Sequence, residues 1–359
     1  MTSINALRLN QHSGLLVCDE ARFWNNEWVV ILTPDKIRPL VAPDITRETG
    51  VILYIGSTGT SSYGDEIMES IRQHVSKTYH EAREKGEPIP EEILTVEGIV
   101  RNAFTVVKDL HHTHIDDFLR GCYGFVGQDL VQGYKLKAGR KYELAEDKII
   151  KKAVKHMTFA DYPPELSGLL NNAQVFAGYD PTDGFRIFIM EERNTVLEEV
   201  SDIFLAEGSG TITCDLVLSG FASSRSVVSR RKGINRVEAL ISMLEGVEEA
   251  HQLAAGVCGY PKIIYIDGQQ TDLNRKIIEI SDCRSRLATE ITMASAHGFI
   301  TPDAAYTLID GLIFHEVPFQ TIDQQFMALD QQKQLFRFLR GYRHKHQVAA
   351  SPSKKGQQS

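Results

Sequence analysis

The chain has 359 residues, with 39 Lys and Arg against 47 Asp and Glu, for a formal net charge of −8. That balance disfavours nucleic acid as the main partner, because such affinity comes from Lys and Arg releasing counterions from phosphates. Apolar residues make up 42% and charged residues 24%, which is ordinary for a globular protein. At roughly 100–200 residues per domain, the length predicts two domains or one large domain with appendages.

The first third reads as strands. Ile4–Leu9 alternates, and the turn cluster Asn10-Gln11-His12-Ser13-Gly14 leads into the apolar run Leu15–Cys18, which predicts a hairpin. Trp28–Leu32 and Lys36–Val41, joined through Thr33-Pro34-Asp35, predict a second one. Val51–Ile55 is a continuous apolar run suited to a strand buried on both faces. The small-residue run Gly56–Ser62 is expected to turn the chain into a helix marked by Ile67, Ile71 and Val75. A further helix is predicted over 96–119, with Ile99, Ala103, Val106, Val107 and Leu110 on one face. Residues 125–172 look like an insertion. Strands return at Gln174–Gly178 and Phe185–Met190, across the turn Asp180–Gly184. Val237–Leu253 is an amphipathic helix and Lys262–Ile266 an apolar strand. From Asp272 to about Tyr342 only helical periodicity remains, and the tail after 348 has a disordered composition. Clustered strands around a helical pair predict helices layered on mainly antiparallel sheets, an α+β class.

Five cysteines (Cys18, Cys122, Cys214, Cys258, Cys283) lie apart without a CxxC pair, which argues against a disulfide framework or a structural zinc site. No signal peptide is visible, and no apolar run approaches the ~18 residues of a membrane span. A reduced, cytoplasmic protein with no membrane partner is expected.

Four segments carry a resemblance: TSINALRL from Thr2, GLLVCDEAR followed by TPDKIRPL, ILYIGSTGTSSYGDEI, and VFAGYDPTDGFRIFIMEERNTVLEEVSDIFLAEGSGT. The helix EALISMLEGVEEAH and the strand KIIYID follow in order. Together they resemble the proteasome β-subunit branch of the N-terminal-nucleophile hydrolases. The resemblance implies a four-layer αββα sandwich over residues 1–270, interrupted by the insertion at 125–172. A C-terminal helical extension follows over 271–348, and a tail over 349–359.

The resemblance implies a threonine hydrolase acting on peptide or amide bonds, with no metal and no organic cofactor. Removal of Met1 would free the Thr2 α-amine, whose ordinary pKa near 8 suits it to act as base for its own hydroxyl. Ser3 is the fallback if the chain is trimmed further. Lys36 corresponds to the family lysine that tunes the nucleophile. The family's acid stands sixteen residues before that lysine, which favours Glu20; Asp19 beside it has the family's residue type. Strand alternation lets only one of the two face Lys36. Setting the nucleophile at Thr2 requires a hairpin turn two residues longer than the family's, and Asn10–Ser13 supplies it. Gly56 offers a backbone N–H to an oxyanion, and Ser209 in the Gly-Ser-Gly run matches a serine beside the nucleophile. By position, Phe23, Arg38 and Tyr54 line the substrate pocket.

One departure favours a second reading. The family's Asp and the Ser three residues on, after the last long helix, align with Leu253 and Gly256. A catalytically inactive proteasome-like scaffold is therefore the alternative. A third reading, a metallohydrolase, would use His111, His112, His114, Asp116 and Asp117; a helical pattern spreads them around the axis, which favours a solvated helix end. The expected partners are a peptide or protein substrate and further copies of the chain in a ring-type homo-oligomer. Residues 271–345 are expected to brace that oligomer through Leu308, Ile309, Leu312, Ile313 and Phe314. The basic, aromatic FRFLRGYRHKHQ stretch reads as a docking or exposed surface.

Overall fold

A computed structural model of the chain describes residues 3–19, 21–24, 29–32, 36–59, 61–137, 139–144, 151, 172–191, 196–254, 257 and 259–329. In chain order, the strands and helices begin with β1 (Ser3–Arg8), β2 (Ser13–Cys18), β3 (Ala21–Trp24), β4 (Val29–Leu32), β5 (Ile37–Pro39), α1 (Pro43–Thr49), β6 (Ile52–Gly59) and α2 (Ser61–Lys85). Next come α3 (Val96–Tyr123), α4 (Gly127–Gln132), β7 (Tyr134–Lys137), β8 (Arg140–Glu143), β9 (Asn172–Asp180), β10 (Gly184–Met190), β11 (Leu197–Glu199) and β12 (Phe204–Gly208). The rest are α5 (Thr211–Ser223), α6 (Val227–Lys232), α7 (Arg236–Leu253), β13 (Lys262–Asp267), α8 (Leu273–Lys276), β14 (Ile277–Ile280), α9 (Cys283–Ala296), α10 (Pro302–Ile309) and α11 (Phe319–Ala328). The class is α+β: two five-stranded sheets, ordered β12-β1-β2-β13-β14 and β11-β10-β9-β6-β5, with helices laid on them.

Two compact units form, one from the described parts of Met1–Arg38, Ala177–Ile187 and Val200–Ser359, the other from those of Pro39–Phe176 and Phe188–Glu199. In the first unit, every ladder of the β12-β1-β2-β13-β14 sheet is antiparallel. Alternation sends Leu7, Leu9, Leu15, Val17, Ile263 and Tyr265 into a core shared with α5, α7, α9, α10 and α11. Ile4, Ala6, Leu16, Cys18, Ile264 and Ile266 lie on the opposite face and are buried as well. Near the start of β2, Gly14 is required because the Phe185 ring fills the space a side chain would take; a Cβ there would sit 2.1 Å from Phe185 Cζ. Asn235 caps α7, its Oδ1 accepting from the Val237 and Glu238 amides.

In the second unit, Leu53, Ile55, Phe176 and Phe188 pack with Ile67, Ile71, Val75, Ile99, Val100, Ala103 and Val107 of α2 and α3. Thr95 caps α3 by accepting from the Gly98 amide. Much of the expected insertion at 125–172 falls outside the described residues, apart mainly from α4 and the antiparallel β7–β8 hairpin.

Several expectations need correction. Strand β4 pairs with β3, not with the Lys36–Val41 segment; β5 neighbours β6 instead, with Leu40 N–H donating to the Leu53 carbonyl at 2.8 Å. Gly56–Gly59 is not a turn but the end of β6. Its small residues let the start of α2 approach: a Cβ on Gly64 would fall 2.4 Å from Ser57 Oγ, which also accepts from Asn172 Nδ2 at 3.2 Å. The stretch after Asp272 is not wholly helical, because Ile277–Ile280 adds β14 to the sheet edge against β13. Finally, Leu308, Ile309, Leu312, Ile313 and Phe314 belong to the first unit's own core. The surface they were expected to offer a neighbouring copy is already covered within the chain. The FRFLRGYRHKHQ stretch lies outside the described residues.

Candidate active site at the start of the first strand

The end of the β1–β2 ladder is closed by side chains. Ile4 faces Cys18 in the register, and the Asp19 N–H donates to the Ser3 carbonyl at 3.2 Å. The Asp19 side chain turns back so that Oδ1 accepts the Ser3 N–H at 2.8 Å. The same oxygen accepts Lys36 Nζ at 2.7 Å. Asp19 is fully buried and Lys36 is 2% exposed. A buried carboxylate and a buried ammonium are each costly, so each depends on the other's charge and on the amide bond that fixes it. Among the described residues, Asp19 is the acceptor that Lys36 Nζ donates to.

Among the described residues the acid on Lys36 is Asp19, seventeen residues before it; the sixteen-residue spacing favoured Glu20. Glu20 lies outside the described residues, as does Thr2. The Ser3 hydroxyl faces the helices: it lies 3.4 Å from Cys214 Sγ on α5 and accepts from Asn5 Nδ2 at 3.2 Å. Strand alternation sends Ile4, paired with Cys18, to the other face.

Ser209 is exposed and follows Gly208, the residue paired with Ser3 in the β1–β12 ladder. Gly208 has φ +104°, a conformation open to glycine at little cost. Gly210 packs directly on Ser3: a Cβ there would lie 2.9 Å from Ser3 Oγ and 3.0 Å from Ala250 Cβ. Arg38, on β5, is half-buried. Phe23 is on β3, with its side chain outside the described residues. Gly56 and Tyr54 are buried on β6 in the second unit. At the alignment position of the family's acid, Leu253 is 74% exposed at the end of α7, and Gly256 lies outside the described residues.

Sequence reasoning passed over two groups beside the ion pair. Cys18 stands between Ile4 and Lys262 across the sheet. Burial pushes its thiol up to about 12, against the pull of Lys36 and Lys262. Burial likewise raises the Cys214 thiol, so neither is a thiolate at neutral pH. Lys262 is 4% exposed, and its Nζ donates to the Ile37 carbonyl at 3.0 Å and meets Glu279 Oε1 at 2.5 Å. A lysine opening an otherwise apolar strand was the available signal.

The His111–Asp117 cluster lies on α3, as its helical pattern predicted, and its members part company. Burial and the neighbouring His112 and His114 lower the buried His111 to about 4. His114 Nε2 lies 3.0 Å from Glu66 Oε2. Asp116 accepts the Gly127 amide at 2.9 Å, and Asp117 pairs with Arg120 at 2.8 Å. Among the described residues no group of three or more His, Cys, Asp or Glu could hold a metal ion, and no helix is long and apolar enough to cross a membrane.

No family model and no curated protein matches the chain. Among solved structures, an Anbu (Gly-1) mutant from Hyphomicrobium sp. strain MC1 is similar at 14% identity, over 83% of this chain and 95% of that one, with a TM-score of 0.49.

Proposed function

We propose that the chain is a cytoplasmic, proteasome-like threonine hydrolase of peptide or amide bonds, active once Met1 is removed. The observation that carries this reading is the single Asp19 oxygen shared by the Ser3 amide and the Lys36 ammonium. It anchors a buried acid–lysine pair to the backbone one residue after Thr2. In this reading Thr2 Oγ attacks the substrate carbonyl and passes its proton to the free α-amine, directly or through Lys36. The amine returns a proton to the departing amide nitrogen as the C–N bond breaks. Water then hydrolyses the resulting ester, regenerating the hydroxyl. Asp19 fixes Lys36 in place, and Glu20 holds no role here. Ser209, which follows the residue paired with Ser3, is assigned support of the amine. Phe23 and Arg38 are assigned to substrate contact, and the chain is assigned a homo-oligomeric assembly.

The exposed Leu253, where a polar partner of the amine is expected, favours a second reading: a catalytically silent scaffold of the same build. Intact mass separates the two. The hydrolase reading expects loss of Met1 and, after treatment with a β-lactone, one adduct mapped to Thr2. Retained Met1 and no adduct on Thr2 would leave the scaffold.

A further inference from the structure

Lys262 and Lys36 tie the same segment to the first sheet in opposite directions. Lys36 reaches from the start of β5 to Asp19 at the end of β2. Lys262 reaches from the first position of β13 to the Ile37 carbonyl, one residue after Lys36. In the sheet register Lys262 lies opposite Cys18, the residue before Asp19, and Cys18 lies opposite Ile4, the residue after Ser3. Glu279 lies opposite Ile264 on β14, two positions along from Lys262 on the same face. Its carboxylate holds the Lys262 ammonium at 2.5 Å.

A 4%-exposed ammonium on an apolar strand is expensive, and an aliphatic side chain would suit sheet packing better. What the lysine gains over an aliphatic residue is a charged donor on the backbone next to Lys36. We infer that Lys262, held by Glu279, is a positioning residue that clamps the Ile37 carbonyl and so fixes the Lys36 ammonium against Asp19. This rests on the threonine-hydrolase reading for its kinetic consequence, but not for its geometric one. Without the clamp, Lys36 would keep its charge and lose its fixed place, and a displacement near 1 Å at a reacting group can cost about 100-fold in rate.

The test uses the full chain with the variants Lys262→Met, Lys262→Arg and Glu279→Gln, and two readouts. The first is acylation of Thr2 by the β-lactone, followed by mass spectrometry and resolved into a maximal rate and a half-saturating concentration. Lys262→Met is expected to lower the maximal rate roughly 10- to 100-fold with the half-saturating concentration nearly unchanged. Lys262→Arg should recover most of the rate. The second readout needs no activity: acetylation of Lys36 by acetic anhydride, normalised to the exposed Lys108. It should rise several-fold in Lys262→Met and less in Glu279→Gln, whose amide still accepts a hydrogen bond. A merely structural lysine would lower the unfolding midpoint while leaving Lys36 labelling and the acylation rate of the folded protein unchanged; that result would overturn the assignment. If Lys262→Met does not fold, unchanged Lys36 labelling in Glu279→Gln overturns it equally. Raised Lys36 labelling in a protein whose wild type is never acylated on Thr2 would sink the hydrolase reading and leave the clamp standing.

Discussion

Ser3 and Asp19 hold each other twice: the Asp19 amide donates to the Ser3 carbonyl at 3.2 Å, and the Ser3 amide donates to Asp19 Oδ1 at 2.8 Å. The first bond extends the ladder by one step. The second takes a side chain free to rotate and fixes it to the main chain. Lys36 then binds an acceptor whose position is set by the backbone of residue 3 rather than by a rotamer. The chemistry proposed for Thr2 rests on that chain of constraints.

The buried pair gives a stability cycle independent of any activity. Lys36→Met strands a buried carboxylate, and Asp19→Ala strands a buried ammonium. Each is expected to cost about 3–5 kcal/mol in urea unfolding. The double variant removes both charges and should lose clearly less than the sum. Additivity within about 0.5 kcal/mol would mean that the two charges do not depend on each other.

Gly210 tests how closely α5 must approach β1. Its φ of −87° suits any residue, so Gly210→Ala would act through crowding alone, against Ser3 and Ala250. A loss of about 1–3 kcal/mol is expected, and Ser3→Gly in the same chain should return part of it. A neutral Gly210→Ala in thermal unfolding would show that the helix can shift freely.

Much of this organisation was legible because it follows from periodicity and turn chemistry. The β1–β2 hairpin, the paired helices α2 and α3, and the strand Lys262–Ile266 all announce themselves by apolar spacing. What was not legible was set by distant contacts. Gly56–Gly59 has the composition of a turn and stays in β6, where its small residues admit the start of α2. Ile277–Ile280 is too short to outweigh the helical pattern around it, yet β13 offers it an edge. Between Asp19 and Glu20, family spacing favoured Glu20 while residue type favoured Asp19. The contact that Asp19 makes, a carboxylate bent back onto the Ser3 amide, has no signature in spacing.

Cys18 predicts an alkaline weakness. Its folded thiol is pushed up to about 12, from an ordinary 9.0. The unfolded thiol ionises first, so its stabilising contribution is whole below pH about 9 and is lost as pH rises from there towards 12, at roughly 1.4 kcal/mol per pH unit. Between pH 9 and 10.5, Cys18→Ala should therefore lose stability less steeply than wild type. Parallel curves would mean that the thiol ionises alike in both states.

His111 predicts the mirror-image effect in acid. Its folded value, lowered to about 4 from 6.5, keeps the imidazole neutral while the unfolded chain takes up a proton. Its contribution is present above pH 6.5 and is lost as pH falls towards 4. His111→Leu should flatten the decline of the unfolding midpoint between pH 6.5 and 4.5. An unchanged decline would place the acid sensitivity elsewhere.

Thr2, Lys36 and Asp19 should behave kinetically as one unit. If Lys36 acts only by tuning the proton transfers of Thr2, it has nothing left to do once the hydroxyl is gone. Thr2→Ala and Lys36→Ala should each abolish peptide-amide hydrolysis, and the double variant should be no worse than either, since members of one catalytic unit are strongly non-additive. The comparison is made on protein shown to be folded by circular dichroism, because Lys36→Ala also breaks a buried ion pair. Asp19→Asn separates charge from geometry, since the amide oxygen can still accept the Ser3 N–H. It should lower kcat with little change in KM, while Glu20→Gln leaves both near wild type. Equal effects from the two acid variants would undo the assignment of Asp19. Residual hydrolysis in folded Thr2→Ala that Lys36→Ala lowers further, by the same factor as in wild type, would give Lys36 a role independent of Thr2 and remove the proposed nucleophile.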